Sequence, residues 1–226
     1  MQAIILAAGM GKRLGDLTKN STKGMVNFLD QPIIFRLVDQ IISNNINKII
    51  VVVGFGKDEL IEELTKRFKK VNFEFVENKI YSTTNNIYSL FLAKDFLEQD
   101  DSLLFESDLV FDDSLLKRVC DKKEKNVVVV SPYQSWMDGT VVTLRDDRII
   151  DNFVSGKQLK LSEKNKYFKT VNIYKFSSKF SKNHYNPFIE AYIKSMGSDE
   201  YYEDVLKVIS FLNKIKMKAL ITKPEE

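Results

Sequence analysis

The chain has 226 residues, of which 44% are hydrophobic and 29% are charged, and its 34 basic and 31 acidic residues leave a net charge of only +3. This composition is typical of a soluble globular protein with a substantial buried core, in one large domain or two closely joined ones. The basic residues are scattered, which argues against a nucleic-acid partner.

The single cysteine and the lack of long apolar runs limit the expected compartment. Cys120 excludes internal disulfides and suits a reducing cytoplasm, and the apolar periodicity around it indicates a packed thiol. The opening Met1–Ala8 is too short for the apolar region of a signal peptide and lacks a basic region before it, and no apolar run approaches the ~18 residues of a membrane span. We therefore expect a cytoplasmic protein with no membrane contact.

The first predicted element is a strand that leads into a glycine loop. Ala3–Ala8 is uncharged and predicts a buried strand of a parallel sheet, and Gly9 and Gly11 follow it. Glycines expose backbone N–H groups that can hold phosphate oxygens, although such a loop can also be a simple tight connection. Three cations are placed to meet the same phosphates: Lys12, Arg13 and Lys23.

Two stricter phosphate-binding motifs do not fit this loop. A Walker loop needs G-x-x-x-x-G-K-[ST], and a dinucleotide fingerprint needs a third glycine where this chain has Leu14.

The remaining pattern, L-A-A-G-x-G-x-R-L followed by Lys23, resembles the nucleotidyltransferases that activate sugar phosphates and alcohol phosphates. The resemblance implies a Rossmann-like fold, a loop that covers the triphosphate of an NTP, and catalytic roles for Arg13 and Lys23 in neutralising it. Thr22 replaces the usual proline, as in the cytidylyltransferase branch. The nucleotide-binding residues implied for this region are Leu6, Ala7, Ala8, Gly9, Met10, Gly11 and Lys12.

Helices and strands alternate through the first half of the chain. Helical spacing of apolar residues predicts helices at Pro32–Ile42 and Lys57–Phe68, and a third helix capped by Thr83-Thr84. Strands are predicted at Lys48–Gly54, Val71–Val76 and Leu103–Phe105. This alternation argues for a parallel sheet with right-handed crossovers.

From Asn126 onwards, strands follow one another without long helices between them. They are predicted at Val127–Val130, Thr140–Leu144, Arg148–Phe153 and Lys169–Phe176, with a hairpin turn at Asp146-Asp147, and are followed by helices at Pro187–Met196 and Glu200–Asn213 and a strand at Met217–Thr222. The prediction is a single-domain, three-layer α/β/α fold with a mostly parallel, mixed central sheet. Residues 1–125 would form the nucleotide-binding half and residues 126–222 the acceptor-binding half.

The ending KPEE, from Lys223, has two interpretations. It is either a natural terminus or the start of a linker to a missing C-terminal domain.

Carboxylates stand at two places where a metal ion is expected. Glu106 and Asp108 follow the fourth strand, and ligands of open parallel sheets bind beyond the carboxyl ends of strands. Because Mg²⁺ takes one or two carboxylates together with phosphate oxygens, we predict Asp108 as a metal ligand and Glu106 beside the nucleotide. The alternative for Asp108 is a helix cap, although Asp112-Asp113 is better placed.

The second metal ligand is predicted in the sequence YYEDV, from Glu203 or Asp204. The resemblance favours Asp204, whereas the alternative is that both acids only favour the dipole of the helix.

Asn85 and Asn86 are predicted in the first turn of the third helix, where an amide can match a pyrimidine edge or a ribose hydroxyl. The segment Tyr81–Ser89 resembles that of choline-phosphate cytidylyltransferases of bacterial surface-decoration pathways. This resemblance makes CTP the favoured nucleotide and places Ser89 with the two asparagines.

The acceptor side is predicted around Lys169, which in similar enzymes holds the acceptor's phosphate. Tyr133, Trp136 and Asp138 form a cluster that suits a cationic head group, and Asp138 favours a primary amine. Alternatively, Trp136 is a core residue and Asp138 belongs to an Asp-Gly turn. His184 is predicted in an inert polar loop.

The predicted function is CMP transfer from CTP, with Mg²⁺, to 2-aminoethylphosphonate, phosphoethanolamine or phosphocholine. The alternatives are a sugar-1-phosphate nucleotidyltransferase that uses UTP, GTP or TTP, and a non-catalytic nucleotide-binding domain. Beyond CTP and the acceptor, the partner expected is a second copy of the chain or a fused domain.

Overall fold

The computed structural model describes residues 1–18, 21–212 and 216–226, without the side chains of Arg13, Leu14 and Leu161. The strands are β1 (Gln2–Ala7), β2 (Asn27–Phe28), β3 (Gln31–Pro32), β4 (Lys48–Val53), β5 (Asn72–Glu77), β6 (Ser102–Glu106), β7 (Val127–Pro132), β8 (Val141–Leu144), β9 (Ile150–Val154), β10 (Phe168–Phe176) and β11 (Lys218–Ile221). The α-helices are α1 (Ile33–Ser43), α2 (Lys57–Arg67), α3 (Asn86–Leu92), α4 (Lys94–Gln99), α5 (Asp113–Asp121), α6 (Ser178–Phe180), α7 (Asn186–Met196) and α8 (Tyr202–Phe211).

Within the described residues, nine strands form one sheet with β1 near its centre. The order is β11–β7–β10–β6–β1–β4–β5, and β8 pairs with β10 and with β9. Strand β1 is parallel to both of its neighbours, so Leu6 lies between Val52 and Glu106. The predicted mostly parallel, mixed sheet in a single domain is confirmed.

Helices cover both faces of this sheet because its central strands are apolar on both sides. Ile4 and Leu6 of β1 belong to the core beneath α3, α7 and α8, whereas Ala3, Ile5 and Ala7 belong to the core beneath α1, α2 and α5. Each fully buried aliphatic side chain contributes about 1.5–3 kcal/mol. Because alternate side chains of β1 point to opposite faces of the sheet and are apolar on both, helices pack on each face and give three layers.

Strand β10 joins the two halves of the chain. It is antiparallel to β6 on one side and to β7 on the other. Because β10 runs opposite to β6, its first residues lie at the same edge of the sheet as the carboxyl ends of β1 and β6. The Asp146-Asp147 turn is confirmed between the antiparallel strands β8 and β9, and Asp147 has a left-handed φ of 57°.

Two predicted local features are wrong. Asn85 caps α3, since its side-chain oxygen accepts a bond from the N–H of Asn86 at 2.9 Å, whereas the hydroxyl of Thr84 donates to the carbonyl of Ile80 at 3.1 Å. The predicted polar loop around His184 is instead a π-helical turn, Ser181–Tyr185, which connects α6 to α7.

Other boundaries lie within a few residues of their predictions. Helix α8 ends at Phe211, and the predicted end at Asn213 lies outside the described residues. The short β2–β3 hairpin was not predicted. In the part of the chain that the structure describes, no helix is long and apolar enough to cross a membrane.

Candidate active site

A polar cavity of about 430 Å³ opens at the edge of the sheet where β1 and β6 end. One wall comes from the loop after β1, from α3 and from the residues after β6, and another from the residues before β8, the turn after β9 and strand β10. The predicted site residues on these walls are Leu6, Ala8, Gly9, Lys23, Asn85, Asn86, Ser89, Glu106, Asp108, Asp138, Lys169 and Glu203.

The loop after β1 folds tightly around the side chain of Lys23. Gly11 has a φ of +64°, and a Cβ there would lie 2.5 Å from Cγ of Lys23 and 2.9 Å from Cγ2 of Thr18. The Thr18 hydroxyl also donates to the Gly11 carbonyl at 2.9 Å. Only glycine fits this backbone and this space, so the loop and the lysine stem form one packed unit.

Lys23 and Asp108 form an ion pair on the cavity wall, with 3.1 Å between Nζ and Oδ2. A Cβ on Gly24 would lie 3.2 Å from the carbonyl oxygen of Ser107, so the segment of Lys23 packs directly against that of Asp108. Together they can bind phosphate oxygens through the ammonium and a divalent cation through the carboxylate.

Asn86 connects Glu106 to the start of α8. Its Nδ2 donates to Oε1 of Glu106 at 3.1 Å, and its Oδ1 accepts from the N–H of Tyr202 at 3.1 Å. Both ends of the amide therefore make hydrogen bonds within the protein, and the predicted contact of Asn86 with the nucleotide stays a prediction. Burial raises the pKa of Glu106 to about 7, against the opposing effect of Lys23.

Ser89 is also engaged inside the protein, by a residue that the sequence did not indicate. Nδ2 of Asn78 donates to the hydroxyl oxygens of Ser89 at 3.2 Å and Thr84 at 3.1 Å, while its Oδ1 accepts from the N–H of Ile80 at 3.1 Å. Asn78 is buried and follows β5, so it organises the segment that leads into α3.

Of the two acids in YYEDV, Glu203 lies on the cavity wall and Asp204 does not. Oε1 of Glu203 accepts a 3.4 Å bond from the Tyr174 hydroxyl, and its buried Oε2 has no partner among the described residues. Burial, with a smaller contribution from Glu106, raises the pKa of Glu203 to about 7. Successive helical residues point about 100° apart, so the two acids face different ways. The structure places Glu203 rather than the favoured Asp204 on the cavity wall, and which of them binds metal stays a prediction.

Lys169 lies on the wall that the second half of the chain builds. Its Nζ donates to the carbonyl of Thr170 at 2.6 Å, and a Cβ on Gly139 would lie 3.3 Å from that Nζ. Burial lowers the pKa of this lysine, whereas Glu203 and Asp138 raise it. Lys169 is therefore a partly desolvated cation, and its ammonium group is held by the Thr170 carbonyl and by close packing against Gly139.

A β-bulge in β10 places Asn172 on the same wall, which the sequence did not predict. The pairing of β10 with β7 shifts between Thr170 and Tyr174, and Asn172 between them has a φ of 59°. Bulges commonly re-aim side chains beside active sites. Lys157, in the turn after β9, is a further cation on the wall that was not predicted.

The predicted aromatic cluster does not form. Trp136 is 79% exposed and Tyr133 packs edge-on against Tyr167, and neither lines the cavity. The alternative of a core tryptophan is also wrong. Only Asp138 of the three lines the cavity, and its Oδ1 accepts from the N–H of Gly139 at 2.7 Å in the predicted Asp-Gly turn.

Four residues of β1 and its following loop that were predicted to bind nucleotide are not on the cavity wall. The side chain of Ala7 belongs to the core on the opposite face of the sheet, because alternate residues of β1 face opposite ways. Met10, Gly11 and Lys12 follow the part of the loop that lines the cavity, and Lys12 is exposed. The side chain of Arg13 lies outside the described part of the structure.

Other reactive groups lie away from the cavity. The ring of His184 stacks on Phe180, and Cys120 is partly buried with a thiol pKa raised by burial. Among the described side chains, no group of three or more His, Cys, Asp and Glu is arranged to hold a metal ion without further ligands.

The fold and the glycine loop agree with a comparison against known families. A family model described as nucleotidyl transferase matches residues 2–154, more than half of the chain. The chain belongs to this nucleotidyl transferase family. The resemblance drawn from the loop motif is therefore confirmed.

Several family members with curated functions are similar in sequence. A CMP-5'-(3-aminopropyl)phosphonate synthase from Streptomyces rubellomurinus is 28% identical over 90% of this chain and 32% of that protein. A CTP:phosphoglutamine cytidylyltransferase from Campylobacter jejuni is 36% identical over 60% of this chain and 54% of its own. A 2-aminoethylphosphonate cytidylyltransferase from Lancefieldella rimae is 37% identical over 49% of this chain and 44% of that protein. The chain spans about a third to a half of these relatives.

Solved structures of nucleotidyltransferases share the fold. The CTP:phosphocholine cytidylyltransferase of Streptococcus pneumoniae matches with a TM-score of 0.78 and 22% identity, over 100% of this chain and 91% of that one. The inositol-1-phosphate CTP transferase of T. maritima matches with a TM-score of 0.75 and 23% identity, over 97% of this chain and 84% of that one.

Proposed function

We propose that this chain transfers CMP from CTP to a small phosphate- or phosphonate-bearing acceptor and releases pyrophosphate. The observation that carries the proposal is one cavity in which Lys23 and Asp108, beside the glycine loop, meet Glu203 and Lys169 from the second half of the chain. Cytidylyltransferases among the sequence relatives support the choice of nucleotide and acceptor.

The proposed reaction is an in-line displacement at the α-phosphorus of CTP. An oxyanion of the acceptor forms the new P–O bond, and the bond from the α-phosphorus to the bridging oxygen breaks, so that pyrophosphate leaves with the electron pair. The acceptor is already deprotonated near neutral pH, so no general base is needed. Lys23, with Arg13, neutralises the triphosphate, and Lys169 holds the acceptor's charged group in line.

The carboxylates of the cavity fit a bound Mg²⁺. Asp108 and Glu203 supply two of them, and Oε2 of Glu203 is a buried oxygen without a partner among the described residues. Mg²⁺ takes its remaining ligands from water and phosphate oxygens, which agrees with a wall that lacks a complete protein ligand set. When bound, the ion would stabilise the negative charge that develops on the phosphates.

For the acceptor, we propose that Asp138 pairs with a primary ammonium group. Asp138 lies on the same wall as Lys169. It directly precedes Gly139, where an added Cβ would lie 3.3 Å from Nζ of Lys169. A primary amine donates hydrogen bonds to a carboxylate, whereas a trimethylammonium group cannot. Trp136 is exposed and lies off this wall, so the preference for aminoethylphosphonate and phosphoethanolamine over phosphocholine rests on Asp138.

A pyrophosphate-release assay tests the proposed function directly. Each of four nucleoside triphosphates is combined with 2-aminoethylphosphonate, phosphoethanolamine, phosphocholine and glucose 1-phosphate, and mass spectrometry identifies the nucleotide product. We expect pyrophosphate only with CTP and one of the first three acceptors. Activity confined to a sugar phosphate would support the sugar-activating alternative, and no activity with any pair would support a non-catalytic domain.

A further inference from the structure

The first turn of α3 is docked against the segment that leads into α8. The N–H of Asn85 donates to the carbonyl of Ser198 at 3.0 Å, and the N–H of Ile87 donates to the carbonyl of Glu200 at 3.3 Å. The first N–H groups of a helix have no partner inside their own helix. These bonds satisfy two such groups of α3 and fix the path of the chain into α8.

Asn86, between these two residues, adds a side-chain connection in both directions. Its amide oxygen accepts from the N–H of Tyr202, and its amide nitrogen donates to Glu106, both at 3.1 Å. A backbone N–H can only donate and a carboxylate can only accept, so the two partners fix the orientation of the amide. The side chain thus ties the end of β6 to the start of α8.

Helix α8 lacks a cap of its own. Tyr201 occupies its N-cap position and makes no side-chain capping bond, although Ser, Thr, Asp or Asn normally supplies one there. The bond from the N–H of Tyr202 to Asn86 replaces that cap from a neighbouring helix.

The carboxylate of Glu203, the next residue, is held weakly by its own contacts. Its hydrogen bond to another described residue is the 3.4 Å contact with the Tyr174 hydroxyl, and its second oxygen has no partner in the described part of the chain. The position of this buried carboxylate therefore depends on the backbone of the first turn of α8.

We propose that Asn86 is a positioning residue, which caps α8 from α3 and thereby holds the Glu203 carboxylate on the cavity wall. The proposal rests on the proposed function, in which Glu203 is one of the two carboxylates for the metal ion. In this role Asn86, which also lines the cavity, acts through Glu203.

The test compares Asn86→Ala with Asn186→Ala. Asn186 is a matched control, because it is also an asparagine that bridges helices: Nδ2 donates to the carbonyl of Lys94 and to the carboxylate of Glu98, both at 2.8 Å, away from the cavity. Three properties are measured: deuterium exchange of a peptide covering residues 199–206, Mn²⁺ affinity in the presence of a non-hydrolysable CTP analogue, and steady-state kinetics with CTP.

We expect Asn86→Ala to speed exchange in this peptide, to weaken Mn²⁺ binding and to lower kcat about tenfold, with a KM for CTP within about threefold of wild type. Asn186→Ala should lower the melting temperature without these three effects. Unchanged exchange in Asn86→Ala, or equal losses of kcat in the two variants, would overturn the positioning role. If wild type releases no pyrophosphate from CTP, the proposed function fails, and exchange and Mn²⁺ binding still decide the role of Asn86.

Discussion

At the scale of single residues, Asp108 offers the sharpest test of the cavity. Its Oδ2 lies 3.1 Å from Nζ of Lys23, and an asparagine keeps that hydrogen bond while losing the charge. We expect Asp108→Asn to fold normally and to lose at least ~10²-fold in kcat, as for other positioned electrostatic groups. The matched control is Asp95→Asn, on an exposed carboxylate of α4, which should keep wild-type turnover.

Turnover comparable to wild type in a well-folded Asp108→Asn protein would remove Asp108 from the proposed metal site. Circular dichroism and the melting temperature establish folding.

The two cavity lysines should differ in which substrate they affect. Lys23 is packed into the glycine loop, whereas Lys169 lies at the start of β10 beside Asp138. We expect Lys23→Ala to raise the KM for CTP or lower kcat with little change in the acceptor KM, and Lys169→Ala to raise mainly the acceptor KM. Initial rates over a grid of both substrate concentrations measure kcat and the two KM values of each variant. The reverse pattern would exchange the two assignments.

At the scale of elements, the start of α8 carries a buried carboxyl that costs stability at neutral pH. The pKa of Glu203 is about 7 in the folded protein, against 4.5 for an ordinary glutamate. The folded chain therefore holds this proton more tightly, and the stability that it contributes is fully present below pH 4.5 and is lost as the pH rises through about 7.

In metal-free protein, Glu203→Gln should remove the loss of unfolding free energy that accompanies ionisation of Glu203, because glutamine does not ionise. We expect its unfolding free energy to exceed that of wild type by about 1–3 kcal/mol at pH 8, and the difference to shrink towards pH 4.5. Urea denaturation with EDTA at several pH values measures it, with the exposed Glu62→Gln as the control. A difference that does not vary with pH would contradict the assignment of a raised pKa.

A second element-scale prediction concerns the end of α5, far along the chain from β10. Lys175 is buried, and its Nζ donates to the carbonyls of Val119, Cys120 and Lys122 at 3.5, 3.4 and 2.8 Å. Lys175→Met leaves these carbonyls without the donor and should cost about 1–3 kcal/mol in unfolding free energy.

Because Lys175 is not on the cavity wall, kcat should stay near the wild-type value. The exposed Lys179→Met is the control for loss of a lysine charge. A drop in kcat at a temperature where Lys175→Met is fully folded would contradict a purely structural role.

At the scale of the whole molecule, the sequence predicted the mixed sheet, and twelve of its predicted site residues lie on one cavity wall or another. Both the first strand and the loop after it can be recognised from residues that are close together in the sequence. Ala3–Ala8 is apolar without interruption, and the spacing of the two glycines after it is visible without knowledge of the fold. Lys169 was found through a resemblance rather than through its surroundings, and the structure explains its place by the reversed direction of β10.

What could not be predicted depends on contacts between distant parts of the chain. The bridge from Asn86 to Tyr202 spans 116 positions, and no local pattern records it. The bulge that aims Asn172 depends on how β10 pairs with β7. The choice between Glu203 and Asp204 needs the rotation of α8 about its axis, which the packing of Val205 and Leu206 sets.

The place of β10 in the sheet has a consequence for how the chain can be divided. The family match ends at Val154, before β10 begins at Phe168. A fragment cut at Val154 would expose the hydrogen-bonding edges of β6 and β7, which β10 covers in the whole chain, and such edges pair readily with other chains. A fragment that keeps these two edges paired therefore has to extend through Phe176, 22 residues past the end of the family match.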